Sequence, residues 1–322
     1  MSTAFLGQSN MTIKTITLAD LLAVSGVEGD FGSRGSGVGV PDPDLCYSEL
    51  SSDERDQCLL RVLQVLDGNS FDTTGPKNLA KWESGWRENL HEFISTNGCL
   101  EALQPKYFKH QLLRYQQRFI RAHNAAFELN FYTAVRRILF HRYLRDFQTI
   151  IEFGCGTGTS LLMLAEMYPD TLLVGCDWAT SSQGILAGLA TQIRRHIVGM
   201  NFDMFAPHEE VPFSDNCAVI TLHAMEQLGP HYGRFLDYLL RKKPRLCLHL
   251  EPIEELYDDD HLLDHLAKQY HQRRGYLAGF LTHLRRLEGQ GEVSLLDVRR
   301  LYFGSFFHEA YSVVVWAPCR SV

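Results

Sequence analysis

Residues 150–158 read IIEFGCGTG, and this stretch decides the fold. An apolar run ends in three glycines at every second position, Gly154, Gly156 and Gly158, and an apolar helical pattern follows from residue 159. Glycine lets a backbone turn sharply and approach a ligand without a Cβ in the way. The first turn of a helix also presents free N–H groups. The stretch therefore predicts a strand, a ligand-binding loop and a helix.

A second apolar run ends in an acid, Asp177. A carboxylate at this strand end is placed to accept hydrogen bonds from ribose hydroxyls. A dinucleotide site would carry the spacing G-x-G-x-x-G, whereas this loop has G-x-G-x-G with Glu152 two residues before it. The pattern favours another nucleotide-like ligand, although a dinucleotide site and a turn without any ligand stay open.

Short apolar runs alternate with helical stretches after residue 147, which predicts a doubly wound α/β domain with a mostly parallel sheet. The predicted parallel strands are 149–153, 171–176, 196–200, 217–222 and 245–250. An antiparallel pair is expected within 298–317. Before this domain, spacings of three and four predict an all-helical cap over 46–146, with helices over 53–66, 79–95 and 108–146. Residues 1–45 form an N-terminal segment whose glycine-rich part, 26–44, predicts a linker or a mobile cover.

The chain resembles the class I S-adenosylmethionine-dependent methyltransferases, whose E-x-G-x-G-x-G motif matches residues 152–158. The resemblance covers about 147–255 and implies a seven-stranded sheet with S-adenosyl-L-methionine as cofactor. It implies that the three glycines line the amino acid part of the cofactor and that Asp177 binds the ribose. It further implies adenine contacts from Trp178, Asp203 and Met204. Glu152, Cys155 and His223 complete the implied cofactor-binding set.

Candidate catalytic residues follow the fourth and fifth strands. His223 ends the fourth strand and could act as general base for a hydroxyl acceptor, or could only pack or bind the cofactor. Glu226 could orient the imidazole, or could be an ordinary acid at a helix start. Glu251 and His249 lie two residues apart and point the same way. We expect Glu251 to contact substrate and His249 to be a buried structural residue.

Composition and charge narrow the class of protein. The 322 residues carry a net charge of −7, which argues against a dedicated nucleic-acid binder. No apolar run is long enough to span a membrane, and the first residues lack a secretory signal pattern. Eight cysteines without a C-x-x-C pair predict free thiols. We expect a cytoplasmic protein.

The acidic run at 257–265 admits a metal interpretation, but acids at a helix start also satisfy free N–H groups, and we expect no metal site there. The expected function is methyl transfer to a small-molecule acceptor, with oxygen as the nucleophile. The alternatives are N-methylation of a small molecule and a non-catalytic cofactor-binding scaffold. We expect neither nucleic acid nor membrane as a partner, and a homodimer stays open.

Overall fold

A computed structural model describes residues 12–27, 43–68, 71–106, 108 and 110–320 of the chain. Residues 28–42, which hold most of the glycine-rich segment, lie outside the described residues, so the linker and cover interpretations are untested. None of the described helices combines the length and the apolar composition that a bilayer crossing requires.

The main sheet has seven strands in the order β10-β12-β9-β8-β5-β6-β7. Its strands are β5 (Thr149–Phe153), β6 (Leu172–Asp177), β7 (Ile197–Asn201), β8 (Cys217–Leu222), β9 (Leu246–Glu251), β10 (Val293–Arg300) and β12 (Ser312–Pro318). The first five are parallel to one another, and β12 runs antiparallel to its neighbours β9 and β10. The predicted bounds match β5 and β8 and are one residue early for the other three parallel strands. Every position of β5, β8 and β9 is buried, which is why these strands are mainly apolar.

The chain reverses its strand order between β5 and β8. In an open α/β sheet this reversal creates a crevice at the carboxyl ends of the two strands, and ligands bind there. The glycine loop follows β5 and His223 follows β8, so the fold brings the two to the same crevice.

A second, antiparallel sheet has five strands in the order β1-β2-β4-β3-β11. Its strands are β1 (Ile13–Thr15), β2 (Cys46–Glu49), β3 (Leu112–Tyr115), β4 (Arg118–Ala122) and β11 (Phe303–Gly304). Three of them lie within 46–146, so the prediction of an all-helical cap was wrong. The turn between β3 and β4 consists of Gln116 and Gln117, both with positive φ (48° and 57°). Asn-Gly or Gly-Gly normally marks such a two-residue turn, and its absence concealed the hairpin.

The helices flank these sheets. Their bounds are α1 (Leu18–Val24), α2 (Ser52–Asp67), α3 (Leu79–Ser95), α4 (Phe127–Tyr143), α5 (Thr159–Met167), α6 (Thr180–Ile193), α7 (Gly233–Lys242), α8 (Leu262–Arg274) and α9 (Phe280–Gly289). Helices α2 and α3 occupy the predicted ranges. Ser51 and Glu54 form a capping box that fixes the start of α2.

One hydrophobic core is shared by both sheets. It contains Leu113 and Ile120 of the second sheet, Phe131 of α4, and Ile150 and Val313 of the main sheet. The boundary predicted at 146/147 is crossed by this core and by β11, which follows the boundary but pairs with β3. The division into three segments stays a prediction, and its second boundary does not separate two hydrophobic cores.

Candidate functional site

The glycine loop begins where β5 ends. Gly154, Gly156 and Gly158 all have positive φ, between 52° and 75°, a region that residues with a Cβ avoid. A Cβ on Gly154 would also lie 2.3 Å from the Cβ of Ala224, in the segment after β8. Glycine at this position thus permits the loops after β5 and β8 to touch.

Asp177, at the end of β6, binds the backbone of the glycine loop. Its Oδ2 accepts a hydrogen bond from the Gly156 N–H at 2.9 Å, and its Oδ1 accepts one from the Ala179 N–H at 2.8 Å. Burial raises the pKa of this carboxyl to about 6, although both backbone N–H groups act in the opposite direction. Each carboxylate oxygen can accept a second bond, so Asp177 retains capacity for ribose hydroxyls.

A pocket opens beside the loop, and we call it the cofactor pocket. Six of its lining residues are among those predicted from the sequence: Gly154, Asp177, Trp178, Asp203, Met204 and His223. The others are Trp82, Trp86, Phe202, Phe205, Ala224, Gln227 and Leu228. Trp178 and Phe205 stack at 5.8 Å between ring centroids, and Asp203 accepts a hydrogen bond from the Phe205 N–H at 2.8 Å. An aromatic wall beside a carboxylate fits an adenine ring with its amino group.

The remaining predicted cofactor residues lie behind the pocket surface. Cys155 is buried, and the loop glycines Gly156 and Gly158 do not line the pocket. Glu152 is 3% exposed, and burial raises its pKa to about 8 against the opposing effects of Arg136 and Ser160. Arg136 donates to the Ser160 hydroxyl at 2.9 Å. This hydrogen bond joins α4 to the first turn of α5, directly after the glycine loop.

His223 follows β8 directly and has a positive φ of 55°, which is strained for a residue with a Cβ. Its N–H donates to the Leu250 carbonyl at 2.9 Å, and its Nδ1 lies 3.9 Å from Glu226 Oε2. Its Nε2 has no hydrogen-bond partner among the described residues. Burial alone would lower the pKa of His223, but the carboxylates of Glu226, Glu251 and Glu128 outweigh it and raise that pKa.

Glu251 does not occupy the place expected of a substrate contact. It is fully buried, and its Oε1 accepts hydrogen bonds from the N–H groups of Ala224 (2.9 Å) and Met225 (3.0 Å). Its Oε2 accepts a third from Glu226 N–H at 3.2 Å. Burial raises the pKa of Glu251 to about 7. The side chain therefore positions the turn that carries His223 and Glu226.

A larger cavity of about 890 Å³ adjoins the cofactor pocket, and we call it the acceptor cavity. Trp82, His223 and Gln227 line both spaces, and Glu226 lines the cavity as well. Glu128 of α4 also lines it, is 8% exposed, and has a pKa raised by burial to about 7. The Tyr311 hydroxyl lies 3.5 Å from Glu128 Oε1. Sequence reasoning missed Glu128 because no motif marks it.

Two other predicted groups have structural partners. Trp316 Nε1 donates to His249 Nε2 at 2.9 Å, so Nδ1 carries the hydrogen and donates to the Thr221 hydroxyl at 2.8 Å. Burial lowers the pKa of His249 to about 3, which agrees with the expected structural residue. In the acidic run, Asp264 pairs with Arg300 and accepts a hydrogen bond from the Asp258 N–H at 3.0 Å. Among the described residues, no group of three or more His, Cys, Asp or Glu could hold a metal ion.

Comparison with known proteins adds one curated relative. The chain is 29% identical over 118 residues to the trans-aconitate 2-methyltransferase of Methylobacterium nodulans, a match that covers 35% of this chain and 42% of the relative. The match thus spans less than half the length of that relative. No model of a protein family matches the chain.

Solved structures with a similar chain path include the [4+2]-cyclase SpnF, with a TM-score of 0.47 and 13% identity over 75% of this chain and 96% of that one. They also include the magnesium protoporphyrin IX methyltransferase of Synechocystis PCC 6803, solved with bound S-adenosylmethionine. Its TM-score is 0.39 and its identity is 14%, over 56% and 74% of the two chains. Values this low carry no argument about activity.

The strand order, the glycine loop and Asp177 define a class I S-adenosylmethionine-dependent methyltransferase fold. The 118-residue match to a methyltransferase agrees with this fold, and S-adenosylmethionine is the cofactor that both imply. The predicted resemblance and the predicted α/β class, with a seven-stranded and mostly parallel sheet, are confirmed. The lining of the cofactor pocket, with an acid for ribose and an aromatic wall for adenine, fits that cofactor.

Proposed function

We propose that the protein transfers the methyl group of S-adenosylmethionine to a small molecule bound in the acceptor cavity. The observation that carries this proposal is that the cofactor pocket and the acceptor cavity share Trp82, His223 and Gln227. An acceptor in the cavity would meet the methyl group at these residues. Since the sulfonium is already a strong electrophile, the main task of the site is to align the two reactants.

We further propose an oxygen acceptor, with His223 as the general base. Glu226, 3.9 Å from Nδ1, favours a proton on that nitrogen and leaves Nε2 to accept the hydroxyl proton. As the new oxygen–carbon bond forms, the carbon–sulfur bond breaks and its electron pair stays on sulfur. The products are the methyl ether or ester, S-adenosylhomocysteine and an imidazolium that the neighbouring carboxylates stabilise.

The lining of the cavity supports a planar small molecule with an acidic group. Its aromatic residues are Trp82, Phe108, Tyr270, Tyr276, Phe306, Phe307 and Tyr311. Its cationic residues are Arg61, Lys81, Arg121 and Arg274. Lys81 and Arg274 pair with Asp72 and Arg121 pairs with Glu54, so an acidic group would share these cations with the protein's own carboxylates. Aromatic walls stack on flat rings, and arginine pairs with carboxylate through two parallel hydrogen bonds. The curated relative is named for trans-aconitate, and a carboxylate-bearing acceptor agrees with that name.

An amine acceptor is the second candidate, because Glu128 and Glu226 both line the cavity close to His223. Two carboxylates would hold an ammonium group. An amine must lose its proton before it attacks, and a carboxylate whose pKa is raised to about 7, as in Glu128, suits that step.

We infer a cytoplasmic location for the enzyme, because all eight cysteines are free thiols. Free thiols are the rule in a reducing compartment.

The test is formation of S-adenosylhomocysteine from S-adenosylmethionine with paired acceptors, one hydroxyl and one amine on each ring system, with and without a carboxylate. We expect turnover of hydroxyl acceptors and a fall in kcat of about 10²- to 10⁴-fold in His223→Asn, with cofactor affinity within a few-fold of wild type. His231→Asn, at an exposed histidine in the next turn, is the matched control.

Turnover of amines alone would move the assignment to N-methylation. Cofactor binding without turnover of any acceptor would favour a scaffold protein. Undiminished kcat in His223→Asn would exclude the imidazole as the base.

A further inference from the structure

Helix α3 forms a roof over the cofactor pocket, although it precedes the glycine loop by more than 50 residues. Trp82 and Trp86 both line the pocket. A Cβ placed on Gly156 would lie 2.9 Å from Trp86 Cζ2, so the Trp86 ring rests on the glycine loop. The two indoles stack with their ring centroids 5.5 Å apart and their planes at 28°. The pair forms a continuous aromatic surface that faces the cofactor pocket.

This roof is fixed to the cofactor-binding half of the fold. Glu83 accepts hydrogen bonds from the Ser181 hydroxyl at 2.5 Å and from the Ser181 N–H at 3.3 Å, at the start of α6. Further along the two helices, a Cβ on Gly188 would lie 2.8 Å from the Phe93 ring. A glycine at this position lets the helices approach closely. The tryptophans are therefore held by a helix that is anchored between them, at Glu83, and beyond them, at Phe93.

Trp82 occupies a distinctive place on the roof because it lines both the cofactor pocket and the acceptor cavity. The methyl group must pass between these two spaces, so the sulfonium lies near their junction. Two acids line the cofactor pocket within the described residues, Asp177 and Asp203, and they match the ribose and adenine ends. An indole ring attracts a cation through its quadrupole, and the Trp82 indole lies at the junction of the two spaces.

We infer that Trp82 recognises the positive charge of the sulfonium, so that the site binds S-adenosylmethionine in preference to the neutral thioether product. This inference rests on the proposed function. It gives α3 a role in cofactor selection and in release of S-adenosylhomocysteine, since the product loses the attraction when its charge disappears.

The test is calorimetric titration with three ligands: S-adenosylmethionine, S-adenosylhomocysteine and sinefungin, in which a protonated amine replaces the sulfonium. In Trp82→Leu, we expect affinity for the two cationic ligands to fall about 2- to 30-fold, while affinity for the thioether changes less than twofold. Trp82→Phe, which retains a weaker aromatic face, should fall between wild type and Trp82→Leu.

Trp86→Leu is the matched control on the same helix. It breaks the same indole stack but lies over the loop, so we expect it to change the affinities for all three ligands by one common factor. Equal losses for charged and neutral ligands in Trp82→Leu would overturn the inference and leave the proposed function standing. Failure of the wild-type protein to bind either S-adenosylmethionine or S-adenosylhomocysteine would overturn the proposed function, and the inference with it.

Discussion

Replacing Asp177 by Asn should weaken cofactor binding and leave the free energy of unfolding nearly unchanged. The two carboxylate oxygens accept the N–H groups of Gly156 and Ala179. Asparagine has one acceptor oxygen, and its NH₂ group cannot accept, so one of these N–H groups loses its partner. A buried unpaired donor costs about 1–3 kcal/mol.

The substitution also removes the free-energy cost of burying a charged carboxylate. Burial raises the pKa of Asp177 from 3.8 to about 6, which corresponds to about 3 kcal/mol. Because the folded-state pKa is raised, the stability that the neutral carboxyl contributes is complete below pH 3.8 and is lost as the pH rises through 6. At pH 8 the asparagine variant avoids that loss. The two effects oppose each other, and we expect the free energy of unfolding at pH 8 to change by less than about 2 kcal/mol.

No opposing effect offsets the loss of cofactor affinity in this variant. Hydrogen bonds from ribose hydroxyls to a charged acceptor are worth about 1.5–3 kcal/mol, which is about 10- to 150-fold in the dissociation constant. Urea unfolding and calorimetric titration with S-adenosylmethionine, both at pH 8, measure the two quantities, with Asp170→Asn on the exposed surface as control. Cofactor affinity within twofold of wild type would refute the ribose assignment. An unfolded variant would refute the expected cancellation.

Three further predictions concern the same crevice. Gly154→Ala should lower the melting temperature and abolish binding of S-adenosylmethionine, because the positive φ alone costs about 1–2 kcal/mol and its Cβ would lie 2.3 Å from that of Ala224; Gly85→Ala, with open space around it, is the control, and equal melting temperatures would contradict this reasoning. Glu251→Gln should change the free energy of unfolding at pH 8 by less than about 2 kcal/mol in urea and leave KM unchanged, since the lost acceptor for one of three backbone N–H groups is offset by removal of a carboxylate whose pKa burial raises to about 7; a large rise in KM would instead indicate a substrate contact. Transfer to a hydroxyl acceptor should be lost as the pH falls through the raised pKa of His223, with a midpoint in kcat above about 6.5 that moves downward in Glu226→Gln, and a midpoint that does not move would exclude Glu226 as the partner.

The centre of the main sheet could be predicted from the sequence because β5, β8 and β9 are buried on both faces. Such strands appear as unbroken apolar runs, and the turn chemistry of the glycine loop marks the end of β5. The second sheet could not be predicted in the same way. Its β3–β4 turn uses Gln116 and Gln117 where glycine or asparagine is usual, and β11 consists of two residues.

Some residues of the site could be predicted from the sequence and others could not. Residues that follow strands of the main sheet, such as Asp177 and His223, could be found because their position in the chain determines their position in the crevice. Trp82 and Trp86 lie in the helix predicted over 79–95, and the spacing that predicts this helix does not show which surface its apolar face covers. For Glu251, position alone was misleading. The residue ends a strand close to the crevice, but its carboxylate accepts hydrogen bonds from backbone N–H groups and does not face the cavity.

The path of the chain through β11 has a consequence for how ligands reach the crevice. After β10 the chain leaves the main sheet, pairs with β3 of the second sheet, and returns as β12, and Phe303 of β11 stacks on Phe131 at 3.8 Å between ring centroids. The two sheets are thus connected through β11, an edge strand of the second sheet that lies in the chain between two strands of the main sheet. A cap joined to the main sheet by one linker could move away from the crevice as a rigid body. The second sheet could do so only if β11 separated from β3 at its edge. Entry and exit must therefore rely on side-chain and loop movements around a closed frame.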